Sequence, residues 1–89
     1  MRVAWTDYLK YKASLRGFDL SIIENIIRHT PERYHDVVTG RDIAVGQYDG
    51  KLVLIPYESD EDVITPVTIH VTTRQQINVR IKTGRFIHG

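Results

Sequence analysis

The stretch Arg41-Asp42-Ile43-Ala44-Val45-Gly46-Gln47-Tyr48-Asp49-Gly50-Lys51-Leu52-Val53-Leu54-Ile55-Pro56-Tyr57 decides how this chain folds. Asp49-Gly50 is a strong type I′ turn signal between two runs rich in branched residues. A two-residue turn sets the register of the strands it joins. Tyr48 then faces Lys51, Gly46 faces Val53, Ala44 faces Ile55 and Asp42 faces Tyr57. Ile43, Val45, Leu52 and Leu54 share one face. Ala44, Gly46, Tyr48, Val53, Ile55 and Tyr57 share the other.

Upstream of this hairpin, Thr39-Gly40 marks another turn, which places strands at about 34–38, 42–48 and 51–57. Glu58-Ser59-Asp60-Glu61-Asp62 is a looser turn, and a fourth strand covers about 64–72, with Pro66 limiting pairing near its start. Nearer the N-terminus the apolar period lengthens to that of a helix. Thr6 or Asp7 caps a first helix that runs to about Arg16 and stops at Gly17. Asp19 caps a second, whose stripe is Ile22, Ile23, Ile26 and Ile27, and Thr30-Pro31 ends it. With three residues between them, the two are expected to form a tight helical hairpin. Residues 74–82 open with Arg-Gln-Gln and space Ile77 and Ile81 one turn apart, so we read a helix, although Ile77, Val79 and Ile81 also alternate as in a strand.

The expected fold is α+β, a single domain over residues 1–89. An N-terminal helical hairpin packs on a curved four-stranded antiparallel sheet, and a short C-terminal helix follows. The branched face of Ile43, Val45, Leu52 and Leu54, joined by Val67, Ile69 and Val71, is expected to receive the helical hairpin. The opposite face gathers His35, Val37, Ala44, Gly46, Tyr48, Val53, Ile55, Tyr57, Thr68 and His70. It reads as a shallow binding surface, or as a surface covered by the C-terminal helix or another subunit.

At 89 residues the chain buries only about 60–65% of its unfolded surface, so its core is thin. It has no cysteine, which excludes disulfides, thiolate nucleophiles and cysteine-bound metal. No apolar run reaches the ~20 residues that span a bilayer, and the first residues lack a signal-peptide core. The cytoplasm is the expected compartment. The net charge of +1 is unevenly laid out: every acid lies at or before Asp62, and Arg74, Arg80, Lys82 and Arg85 follow with no acid among them. A basic tail of this kind suits an anionic partner, although a solvated helix face has the same composition.

The sequence has no phosphate loop, no dinucleotide fingerprint and no His-x-x-x-His pair. Its histidines are scattered, and its serines lack a nucleophile-elbow context. No cofactor or metal site is expected. The remaining set suits cleavage of a phosphodiester without metal, which needs a base, an acid and cations for the phosphate. The candidates are His70 or Lys12 as base, Arg41 and Arg74 to grip phosphate, and Tyr48 or Tyr57 to orient the substrate. Arg16, Arg80, Lys82 and Arg85 complete the basic set expected to bind RNA.

The order of Arg16-Gly17-Phe18-Asp19, the isoleucine helix, Gly40-Arg41 before an apolar strand, and Thr68-Ile69-His70-Val71-Thr72-Thr73-Arg74 is similar to BrnT-like members of the RelE/ParE toxin superfamily. The resemblance covers roughly residues 5–82. It implies a small ribonuclease toxin, a RelE-like helical hairpin on a curved sheet, and a cognate antitoxin that neutralises it as a hetero-oligomer, with a homodimer as another assembly. Arg16, Arg41 and Arg74 sit where that pattern has basic residues. Tyr8 and Lys12 stand where related chains often carry a His and an Arg. Two other readings follow from the same residues: a non-catalytic module that binds protein or nucleic acid, and a gyrase-poisoning toxin of the superfamily.

Overall fold

The computed structural model describes all of residues 1–89. After a short first strand come two helices joined by three residues, α1 (Asp7–Arg16) and α2 (Leu20–His29). Each begins on its expected cap: Thr6 accepts the Leu9 N–H and Asp19 accepts the Ser21 N–H, answering donors that have no partner inside the helix. A third helix, α3 (Arg74–Lys82), is capped by Thr73 on the Gln76 N–H. The strand alternative for this segment fails because Ile77 and Ile81 face one core while Val79 is exposed, a one-sided pattern with helical spacing.

The strands are β1 (Arg2–Val3), β2 (Arg33–Asp36), β3 (Arg41–Tyr48), β4 (Lys51–Asp60), β5 (Val63–Pro66), β6 (His70–Thr72) and β7 (Phe86–His88). They form one sheet in the order β1-β5-β4-β3-β2-β7, with β6 also paired to β4. The α+β class holds. The expectation of four antiparallel strands is corrected to seven strands, of which β1 runs parallel to β5. Both edge strands come from the chain ends and are too short to carry a readable alternation.

The β3–β4 hairpin has the expected register, from Tyr48 opposite Lys51 to Asp42 opposite Tyr57. Asp49 and Gly50 both take positive φ, 52° and 75°, as a type I′ turn requires. The strand expected over 64–72 is instead two pieces. Pro66 lies opposite Tyr57 and His70 opposite Leu54, so four steps on one side match three on the other. One extra residue is a β-bulge, and it swaps the faces of everything after it. Ile64 and Ile69 therefore point into the same core, whereas His70 turns to the face of Leu54 and away from that of Val53. The placement of His70 and Thr68 beside Ala44 and Ile55, and of Ile69 and Val71 beside Leu54, is corrected for this reason.

The assignment of faces to helices is also corrected. Ile23, Ile26 and Ile27 of α2, with Leu9 and Ala13 of α1, pack on Ala44, Val53, Ile55 and Tyr57. The branched face of Ile43, Val45 and Leu54 packs instead against Ile77 of α3, Tyr34 and Phe86, with Leu52 and Ile81 at its margin. Ile22 stays outside the stripe, 40% exposed. The reason is steric. A Cβ at Gly46 would stand 2.6 Å from Ile26 Cγ2, so α2 lies where β3 has no side chain to hold it off. Small residues mark the seat of the helix pair and not an open surface.

Gly46→Ala is expected to lower stability by about 1–3 kcal/mol through overpacking. Combined with Ile26→Ala, it should cost less than the two changes summed, because the clash partner is gone. Urea unfolding of the two single variants and the double variant measures this coupling, and strict additivity would contradict the contact.

Candidate functional site

His70 of β6 and Lys12 of α1 meet where the helix pair overhangs the sheet. Lys12 Nζ donates to Thr68 Oγ1 at 2.8 Å and lies 3.3 Å from His70 Nδ1. An ammonium has no lone pair, so Nδ1 accepts and the neutral ring carries its proton on Nε2. The His70 pKa is lowered from its ordinary value. Partial loss of hydration is the first cause, and the charges of Lys12, Arg16 and Arg80 add to it. The imidazole is thus held neutral in an all-cationic setting.

The same histidine borders a groove of about 430 Å³ beside α3. Arg41, Arg80, Arg85, Asp36, Thr39, Thr68 and Gln76 line it, over an apolar floor that includes Ile43, Leu54, Pro56 and Phe86. Arg80 lies over the Phe86 ring, 5.6 Å from its centroid, in a cation–π contact. Asp36 is buried and forks onto Arg85, with both N–O distances 3.0 Å. It also accepts the Val38 and Thr39 N–H groups, so the carboxylate closes the β2–β3 turn and fixes the guanidinium at the groove wall.

Four ion pairs tie up Arg28 with Glu24, Arg41 with Glu58, Arg74 with Glu32 and Arg85 with Asp36, and His35 Nδ1 hydrogen-bonds Asp42 at 3.0 Å. Lys12, Arg16 and Arg80, the three cations that act on His70, are in none of them. This carboxylate-free corner is where an anion meets the least competition.

The structure gathers four of the sequence candidates, Arg41, His70, Arg80 and Arg85, on one groove, with Lys12 and Arg16 at the His70 end. It holds the others apart. Arg74 forks onto Glu32, Nη2 to Oε1 at 2.9 Å, and Glu32 also accepts the Tyr34 hydroxyl at 2.7 Å. Tyr57 is buried beneath the helix pair, where its hydroxyl accepts from Arg33 at 3.1 Å. Tyr48 packs edge-on against Phe18, and its hydroxyl accepts the Asp19 N–H. With Arg16 and Lys51 it lines a second, smaller hollow of about 210 Å³. Lys82 lies in the last turn of α3 and lines neither hollow. Thr68 belongs to the face that the sequence marks as a binding surface, whereas Asp36, Thr39 and Gln76 are groove residues that the sequence does not mark as site residues. Asp36 carried a signal, since an Asp two residues ahead of a turn bonds the backbone that follows it.

No three side chains of the His, Asp and Glu type come together in a way that suits a metal ion. No helix is long and apolar enough to cross a membrane. Comparison with protein-family models, with curated proteins and with solved structures returns no match.

Burial pushes the Asp36 carboxyl up. The Arg85 fork and the Val38 and Thr39 N–H groups outweigh it and bring the pKa down from 3.8 to about 2. A depressed carboxylate stabilises the fold above its unfolded pKa, and that stability is lost as pH falls through the folded value. Asp36 is expected to contribute about 2 kcal/mol above pH ~4, fading toward pH ~2. In Asp36→Asn this acid limb should flatten, as read by denaturant midpoints across that range.

Proposed function

We propose that the chain is the toxin of a toxin–antitoxin pair, a RelE-like domain that cleaves RNA without a metal ion. One observation carries the reading: a neutral histidine touched by a lysine, among cations that no carboxylate neutralises. In-line cleavage of RNA forms a bond from the 2′ oxygen to phosphorus and breaks the bond to the 5′ oxygen. It leaves a 2′,3′-cyclic phosphate and a 5′ hydroxyl. An incoming phosphate draws the Lys12 ammonium off Nδ1. His70 then takes the 2′ proton, and Lys12 delivers a proton to the departing 5′ oxygen. Arg80 and Arg16 offset the charge that builds on the phosphoryl oxygens. Solvent exchange restores both groups. The antitoxin and the RNA are the partners this reading implies, and the cytoplasm is its compartment.

A second reading, a nucleic-acid-binding module without catalysis, has one observation in its favour. Arg74 is engaged by Glu32 and Tyr57 is buried, so two groups that a fuller catalytic set would use stand outside the groove.

Cleavage of a single-stranded RNA is expected to fall about 10²–10⁴-fold in His70→Ala, with the thermal midpoint unchanged. The working form is neutral histidine, so the rate should rise with pH and level off below the ordinary histidine range. Arg16→Gln removes a positive charge, raises the His70 pKa and should move that rise to higher pH. Induction of the protein alone should stop growth and fragment transcripts. RNA binding without fragmentation, equally in the parent and in His70→Ala, would replace the catalytic reading with the binding one.

A further inference from the structure

The hydrogen-bond inventory of the groove is one-sided. Thr39 Oγ1 accepts the Arg41 N–H, and Thr68 Oγ1 accepts from Lys12, so each hydroxyl still has its own proton to give. Gln76 Oε1 accepts the Thr72 hydroxyl, which leaves its amide N–H₂. Arg85 uses Nε and Nη2 on Asp36, which leaves Nη1. The acceptors, by contrast, are taken: Asp36 by Arg85 and the turn, and His70 Nδ1 by Lys12. Three arginines against one aspartate leave the lining two charges positive while His70 is neutral. A ligand that fits must be rich in acceptors, carry about two negative charges and cover an apolar floor.

We infer that this groove holds a terminal phosphate monoester on a nucleoside, its dianion between Arg41 and Arg85 and its nucleoside on the part-exposed Pro56 and Val67. An internal phosphodiester carries one charge and a monoester two at neutral pH, so the lining selects the chain end. Arg85 is preset for such a contact, because a buried carboxylate holds its fork and presents the remaining nitrogen, which saves the ligand the cost of ordering it. Arg41 is the adjustable contact, since its partner Glu58 is exposed and competes with the ligand. The volume of about 430 Å³ lies within the range of small-ligand sites. The inference rests on reading the groove as a nucleic-acid site. It extends that reading from where RNA is cut to which end of it is held.

The monoester has two sources, a free nucleotide and a 5′-phosphorylated strand. Titration of the full chain by calorimetry with adenosine 5′-monophosphate, adenosine and inorganic phosphate tests the first. Short 2′-O-methyl oligonucleotides with a 5′ phosphate or a 5′ hydroxyl, which cannot be cleaved, test the second. The phosphorylated strand should bind about tenfold tighter than the hydroxyl strand, the difference made by one charge-assisted hydrogen bond. Arg41→Gln should erase this preference, while Glu58→Gln should enlarge it. Both sites are exposed, so both variants should fold, and a merely structural pair would not move the preference in opposite directions. Binding of the mononucleotide and not of adenosine supports the site for the free form. Preference for the phosphorylated strand without mononucleotide binding supports it for the chain end. Equal binding of both strands with no response to the mononucleotide overturns the inference, whatever the cleavage assay shows. A lasting phosphate preference in a protein that cuts no RNA supports it and removes only the ribonuclease reading.

Discussion

The contact between Ile26 and Gly46 governs the rest of the molecule. A sheet with two apolar faces can receive a helix pair on either. Here α2 lies on the face of Ala44, Val53 and Ile55, where the missing side chain at Gly46 lets the helix come closer than any Cβ allows. Close approach increases the area that Ile23, Ile26 and Ile27 remove from water, and dispersion contacts rise with it. With that face filled, the branched face is left to α3, Tyr34 and Phe86, which bury Ile43, Val45 and Leu54. The groove lies beside this second core, bordered by Pro56, Val67 and the polar side chains around them.

The bulge between β5 and β6 then decides what the groove contains. A regular strand from Val63 to Thr72 would keep His70 on the side of the helix pair. One inserted residue turns it over, onto the face of Leu54 and into the field of Arg80. Ile69, the residue just before this short strand, is buried in the core of the helix pair, so the flip is anchored by core packing and not by the histidine itself. The same turn of the chain places Thr68 under Lys12.

Charge follows a similar division of labour. Three acids are partnered with arginines that packing has brought to them: Glu32 with Arg74, Asp36 with Arg85, Glu58 with Arg41. Of these, only the Asp36 pair is buried on its acidic side, and it belongs to both turn and groove. The exposed pairs contribute little to stability. The cations around His70 take part in none of these pairs.

The amino-acid sequence by itself determined the three helices, the caps of the first two, the β3–β4 register and the α+β class, because these depend on local backbone chemistry and on the period of apolar residues. Thr6, Asp19 and Asp49-Gly50 act over a few residues, and no distant group is needed to read them. The sequence also named the cations and the histidine of the candidate site. Only the tertiary structure decided the rest. Which face receives α2 depends on a clearance of a few ångströms at one glycine. Which side His70 takes depends on a single extra residue, which alternation cannot show when Pro66 and Thr68 interrupt the apolar pattern. Whether Arg74 or Arg80 remains free depends on where Glu32 comes to lie, forty-two positions away from Arg74 along the chain. These are differences of proximity between segments remote in sequence, and they arise only when the core closes.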